Sequence, residues 1–337
     1  MSARVTTAII VGAGALGAAC ARRLAERGVN VTLLDPGEPS ASAVAAGMLA
    51  PAFEAALEDA SPERAALYRA GRDRWPDLAA VVGLELGRAG AAWVPVDAEG
   101  ERQGRVLSAR LRRLGFAVDG DEAAPATPDD WTLDAEDALK RIAAGLPRVA
   151  ARALQVTPTA AGFAVELDDG RRLTAELCVL ATGAGAPPAG AGAAVLPIKG
   201  QLAWLDASAP DRVLRTSGAY VVPARSGVLV GATMEPGRSD VRPDPEVFQP
   251  VLDDAVRAWP PLAQARSTVL RAGVRGATPD GLPLVGPLGP GLLAALAPRR
   301  NGWLLAPLVA EGVAAYALGD DPGPFAAALH PSRFLTR

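Results

Sequence analysis

A chain of 337 residues exceeds one ordinary core and leaves room for two packed units. Half of it is hydrophobic, and the formal charge of -3 is spread with mixed signs, which argues against a nucleic-acid-binding surface. Two cysteines, Cys20 and Cys178, and a single histidine, His330, argue against a soft-metal site and against a hydrolase built on a histidine base.

Both cysteines sit in apolar runs and are expected to be buried and reduced, as in a cytoplasmic protein. The N-terminus lacks a secretory pattern, and no run approaches the roughly 18 apolar residues of a membrane span.

Along the chain, the first pattern is strand, glycine turn, helix, strand. Thr6 to Val11 is a short β-branched run suited to a buried parallel strand. Helical residues follow from about Leu16 to Arg27, Gly28 is placed to end the helix, and Val29 to Leu34 predicts a second strand. The segment from Ser40 to Pro51 has side chains too small for an ordinary core helix. Ser61-Pro62 predicts an N-cap with proline at N1 and a helix running towards Trp75.

Residues from about Leu84 to Trp131 are expected to be irregular. Asp134 is expected to cap a helix over 135–144. Phe163 to Leu167, an Asp169-Gly170 turn and Arg172 to Thr174 predict a hairpin. Leu177 to Ala181 predicts a buried strand. A loop rich in proline and glycine is expected between Gly183 and Pro197. Tyr220 to Pro223 and Gly227 to Thr233 predict antiparallel partners, and helices are expected over 245–259 and 304–318, the latter stopped by Gly319.

Gly12-Ala13-Gly14-Ala15-Leu16-Gly17 fits G-x-G-x-x-G, with a strand before it and a helix after it. Gly12 permits the tight turn, Gly14 lets backbone approach a pyrophosphate, and Gly17 lets helix and strand pack closely. The helix N-terminus offers free N–H groups to phosphates. Asp35, followed by Pro36, ends the second strand, where a carboxylate can accept hydrogen bonds from a ribose. The motif predicts dinucleotide binding without separating NAD from FAD.

Eight further segments narrow the choice. They are Ala45-Ala46-Gly47-Met48-Leu49-Ala50-Pro51, Val179 to Ala184 around Ala181-Thr182-Gly183, and Leu196 to Gln201. Tyr220 to Pro223 with Val230 to Glu235, then Ala272 to Arg275 with Thr278 to Pro283, and finally Arg300-Asn301-Gly302-Trp303-Leu304-Leu305-Ala306-Pro307 complete the set. In this order the chain resembles the glycine oxidase and D-amino-acid oxidase family of flavoenzymes, least closely between about residues 84 and 160.

The resemblance implies an α/β fold, with a Rossmann-like FAD-binding domain interleaved with an antiparallel-sheet α+β substrate domain. The cofactor unit is expected from 1–80, 132–195 and 268–337, and the substrate unit from 81–131 and 196–267. It implies non-covalent FAD along Ala45 to Met48, Ala181 to Gly183 and Arg300 to Leu305. It further implies oxidative deamination of a small amino acid, glycine first, with O2 reduced to H2O2, in the service of thiamine biosynthesis. A D-amino-acid or sarcosine-type oxidase or dehydrogenase, or an FAD-binding subunit of little activity, stays open beside it.

By the same resemblance Arg275 holds the substrate carboxylate, for which a guanidinium fork is the matching shape. Tyr220 supports it with its hydroxyl, Met234 lines the pocket, and Arg300 contacts substrate or flavin. No nucleic acid or membrane partner is expected, and a homo-oligomer is allowed. The chain departs from the family at Pro298, where a histidine is usual before the Arg-Asn pair, and at Gly276, where a proline usually follows the arginine. Gly276 is expected to loosen its turn.

Overall fold

The computed structural model describes residues 5–185 and 195–334, so much of the expected proline- and glycine-rich loop lies outside the described residues. Thr7–Val11 and Asn30–Leu34 run parallel inside a six-stranded sheet. Its order is Leu284–Gly289, Leu292–Leu296, Leu177–Leu180, Thr7–Val11, Asn30–Leu34, Arg148–Val149. Only the Leu284–Gly289 and Leu292–Leu296 pair is antiparallel. Strand alternation divides the core. Ala8 and Ile10 pack with the helices Ala15–Glu26 and Gly302–Leu318, while Ile9 and Val11 pack with Phe163 and Val165 of a three-stranded antiparallel sheet. Gly28, at φ 83°, turns the chain out of the first helix, and Gly319, at φ 75°, does so after the last.

The second large sheet is mostly antiparallel. Its order is Glu235–Pro236, Leu196–Leu205, Gly227–Gly231, Tyr220–Ala224, Val213–Arg215, Ala91–Trp93, Ala124–Thr127, Asp119–Asp121. Thr268–Ala277 pairs along the whole of Leu196–Leu205 and so belongs to this sheet, although 268–277 was expected with the cofactor unit. The helix Pro245–Ala258 buries Phe248, Val251 and Ala255 against one face, where Ala203, Val221, Val228 and Val230 point. Residues one position along these strands point to the opposite face, and that face carries the site.

One expectation fails outright. The stretch from Leu84 to Trp131 is not irregular, since Ala98–Arg113 is a sixteen-residue helix. Asp97 caps it by accepting from the Gly100 amide at 2.7 Å, and Gly100, Gly104, Leu107, Ser108 and Leu111 are buried at helical spacing. Glu99 and Glu101 sit in its first turn and Arg110, Arg112 and Arg113 in its last, as the helix dipole favours. Two glycines and a charged remainder hide that stripe, because Gly104 is there for contact, not for turning. A Cβ on it would meet Ala123 C at 2.6 Å.

Cys20 and Cys178 are both buried and free, and burial pushes both thiols up to about 12. No helix among the described residues is long and apolar enough to cross a membrane.

Candidate active site

The glycine turn works through the atoms it lacks. Gly12 has φ 108°, and a Cβ there would collide with the Ala181 carbonyl. A Cβ on Gly17 would collide with the Gly12 carbonyl and lie 3.0 Å from Ala181 Cβ, so helix and strands touch through bare backbone. Gly14, the N-cap, would meet only Ser42 Oγ at 3.0 Å and otherwise faces an open slot of 100 Å³. The first helical turn holds no acidic residue. Its amides therefore face the slot with their partial positive charge uncompensated by protein carboxylates. Of these, the Ala15 amide donates to Ser42 Oγ at 2.9 Å.

These features fit a dinucleotide cofactor: a glycine cradle, a helix N-terminus without an acid, and walls of small residues. Asp35 is placed differently from a free ribose acceptor. Its carboxylate pairs with Arg148 and accepts from the Gly37 amide at 3.0 Å.

The slot abuts a larger cavity of 390 Å³, and the two share Ala41, Ala45, Arg275, Arg300 and Trp303 in their walls. Ala45, Ala46, Gly47 and Met48 form one side of the larger cavity. The N-terminal end of the helix Gly302–Leu318 reaches it at Asn301 and Trp303. The strand face supplies Arg215, Tyr220, Gly200, Gly231 and Arg275, and the helix Pro51–Leu57 adds Glu54 and Leu57. Tyr220 lies over Gly231, where a Cβ would meet its ring carbon Cζ at 2.5 Å, and Arg275 lies over Gly200, where a Cβ would meet Cζ at 2.6 Å. Both glycines are floors on which a large side chain rests.

Arg275 is partly buried. Its Nη1 contacts Met234 Sδ at 3.0 Å, and among the described residues it pairs with no carboxylate. Burial lowers the Arg275 pKa from its ordinary value, although a guanidinium keeps its proton in proteins. Burial raises the Tyr220 pKa against the pull of Arg275 and Arg215, so the phenol stays a hydrogen-bond donor.

The other arginines here are paired with carboxylates that they share. Arg300 pairs with Glu54 and, at 3.2 Å, with Glu58. Arg299 reaches Glu58 at 3.0 Å, Arg64 reaches it at 3.6 Å, and Arg215 reaches Glu54 at 2.9 Å. Burial pushes the Glu54 pKa up, but Arg300 and Arg215 outweigh it and hold the carboxyl below its usual value.

The expected site residues divide by location. Arg275, Tyr220, Arg300, Met234, Ala45, Ala46, Gly47, Met48, Asn301 and Trp303 line the larger cavity, and Gly14, Ala15, Leu16, Ala181, Gly183 and Gly302 line the slot. Gly12, Ala13, Gly17, Asp35, Pro36, Thr182, Leu304 and Leu305 line neither cavity. Leu304 and Leu305 are core, and Thr182 Oγ1 donates to the Gly185 carbonyl at 3.3 Å.

Gly276 does not loosen a turn. It is buried in the strand Thr268–Ala277, its carbonyl accepts from the Arg299 amide at 2.9 Å, and a Cβ would stand 2.6 Å from the Gly183 carbonyl oxygen. Beside Pro298, Ala297 and Arg299 both hold left-handed backbone, at φ 57° and 51°, a strained turn for residues with a Cβ.

Sequence reasoning missed Ser42, Glu54 and Arg215. Ser42 is detectable in hindsight, two residues after the N-cap Ser40. Glu54 and Arg215 carry no local signal, since only tertiary pairing brings them together.

A family model described as FAD dependent oxidoreductase (DAO) matches residues 7–316. The glycine oxidase of Pseudomonas aeruginosa is 29% identical over 97% of this chain and 99% of its own length. The tRNA 5-methylaminomethyl-2-thiouridine biosynthesis bifunctional protein MnmC of Caulobacter vibrioides is 32% identical over 99% of this chain, which spans only 58% of that relative. The crystal structure of glycine oxidase from Geobacillus kaustophilus superposes with a TM-score of 0.88 at 27% identity, covering 99% of this chain and 100% of that one. With the glycine cradle, the acid-free helix end and the matched family model together, the chain belongs to the DAO family of FAD-dependent oxidoreductases.

Proposed function

We propose that this enzyme oxidises the amine of a small amino acid, glycine first, to an imine that water hydrolyses to an oxo acid and ammonia, with O2 reduced to H2O2. One observation carries the reading: Arg275 is a partly buried, cavity-facing guanidinium that no carboxylate of the described chain neutralises. Such a cation is unfavourable until an anion arrives, and a substrate carboxylate matches its two parallel donors. Tyr220, a donor at the same wall, adds a third hydrogen bond to that carboxylate.

Bound FAD supplies the two-electron acceptor for the substrate's α C–H bond. The chain's part is to orient that bond and to exclude water. Ala45 to Gly47 bring only small residues to the wall, which suits the close approach of a planar ring. No side chain here is a ready base. Glu54 is held ionised between two arginines, Tyr220 stays protonated, and no histidine lines the cavity among the described residues. The amine must therefore bind already neutral, which favours turnover above neutral pH.

By likeness to bacterial glycine oxidases we infer that the imine serves thiamine biosynthesis. The test is an anaerobic titration of the FAD-loaded protein with glycine, sarcosine and D-alanine. Loss of flavin absorbance with glycine, recovered on admitting air with formation of H2O2, is the expected result. Bleaching by sarcosine or D-alanine alone would move the assignment to those oxidases, and no bleaching by any would leave a flavin carrier.

A further inference from the structure

We propose that Arg215 forms a second anion subsite in the same cavity, so that beyond glycine the enzyme accepts an amino acid or N-substituted glycine whose far end carries another carboxylate and favours it over the monocarboxylate of equal length. This rests on Arg275 as receptor for the first carboxylate and adds a second point of attachment.

Arg215 is 5% exposed and ends the short strand Val213–Arg215. Directly opposite it in the antiparallel ladder stands Tyr220, so the two side chains project from the same face. Their neighbours Leu214 and Val221 point the other way, into the core beneath Pro245–Ala258. Register therefore commits Arg215 to the cavity, whose wall it forms.

Its hydrogen-bonding capacity is largely unused. Among the described residues only Nη2 is hydrogen-bonded, with Glu54 Oε1 at 2.9 Å and Met48 Sδ at 3.5 Å, and the guanidinium lies 5.7 Å from the Phe53 ring centroid. Nε is buried without a partner, and no hydrogen bond among the described residues reaches Nη1. Its charge is also only half matched, because Glu54 is shared with Arg300, which must in turn share Glu58 with Arg64 and Arg299. The charged lining of the cavity is Arg215, Arg275 and Arg300 against Glu54, a net positive wall that an anionic group would complete.

The spacing limits the ligand. From Gly200, under the Arg275 guanidinium, to Arg215 the sheet passes through Gly227–Gly231 and Tyr220–Ala224, three strand spacings of about 4.8 Å each. Both arginines reach inward over this floor, so the two carboxylates must be separated by several bonds. The redox step is unchanged: C–H and N–H of the substrate are lost, O2 gains both hydrogens, and Arg215 only binds.

The test uses the FAD-loaded protein in calorimetric titrations with succinate, glutarate and adipate, each against the monocarboxylate of equal length. In parallel, kcat/KM is compared for N-(carboxyalkyl)glycines and N-alkylglycines, which avoid any question of handedness. At the best length the second carboxylate is expected to gain roughly tenfold or more in both binding and kcat/KM. Arg215→Met collapses that ratio towards one, and Glu54→Gln, which releases Arg215 from its partner, raises it. Should Arg215→Met fail to fold, Arg215→Lys keeps the charge without the fork and must lower the ratio several-fold.

Dicarboxylates binding no better than monocarboxylates at any length, or a ratio unmoved by these substitutions, would reduce Arg215 to a structural partner of Glu54. If glycine is still oxidised in that case, the Arg275 reading stands alone. If neither anion binds and no amine is oxidised, both fall.

Discussion

The two ends of the site present positive charge by opposite means. At the glycine turn the donors are backbone amides, and three glycines within six residues serve by what they omit. At the far end the donors are guanidiniums, carried in from Val213–Arg215, Thr268–Ala277 and the turn before Gly302–Leu318. The first end needs no counter-charge. The second has Glu54 and Glu58 shared among its other arginines, while Arg275 meets no carboxylate among the described residues. A free cation is a property of its neighbours, and substitution should separate the two kinds of site cleanly.

The largest effect is expected at the backbone end. In Gly17→Val the new side chain would be driven into the Gly12 carbonyl and Ala181 Cβ, both backbone-anchored and unable to move aside. Overpacking of this kind costs on the order of 3 kcal/mol, and the first helix must lift from its strand. Purified protein should carry little or no flavin by visible absorbance and melt well below the parent. Full flavin content with an unchanged melting temperature would mean that the helix–strand contact is looser than the glycine geometry implies.

At the side-chain end the loss should fall on substrate alone. Arg275→Met removes two charge-assisted hydrogen bonds, and kcat/KM for glycine should drop roughly 100- to 1,000-fold with flavin retained. Saturation should shift to much higher glycine concentration. An unchanged KM would place the carboxylate elsewhere in the cavity.

The same contrast explains what the sequence disclosed. The βαβ unit, the G-x-G-x-x-G turn and the caps at Ser61 and Asp134 are local patterns, each legible within a dozen residues, and each formed. Arg275 and Tyr220 were reached through family likeness, because an arginine in a strand is otherwise a surface charge. Glu54 and Arg215 stayed invisible, since one lies on the helix Pro51–Leu57 and the other across the cavity on a three-residue strand. The helix Ala98–Arg113 was missed for a different reason. Its apolar stripe is built from Gly100, Gly104 and Ser108 as much as from Leu107 and Leu111, so the hydrophobic period is faint although the cap and charge gradient are plain.

The smallest effect tests the support beneath the side-chain end. Asp130 is buried, and its two carboxylate oxygens accept from the Ala52 amide at 2.8 Å and the Phe53 amide at 3.2 Å, at the start of the helix that carries Glu54. Burial pushes its pKa up to about 7, with Glu54 adding to the rise and Arg215 and the two amides opposing it. A carboxyl raised in the folded state binds its proton more tightly there than in the unfolded chain, where it titrates near the ordinary value of about 4. Its favourable contribution is therefore present at low pH and lost as pH rises from about 4 through 7. Asp130→Asn cannot ionise and escapes that loss. Relative to the parent, the variant should gain about 2 kcal/mol of unfolding free energy between pH 5 and pH 8, measured by denaturant titration at both values. An equal difference at both values would mean that Asp130 is already ionised at pH 5. Arg215 and the helix amides would then outweigh burial, and the wall beside Arg215 would be less positive by one charge than a neutral Asp130 leaves it.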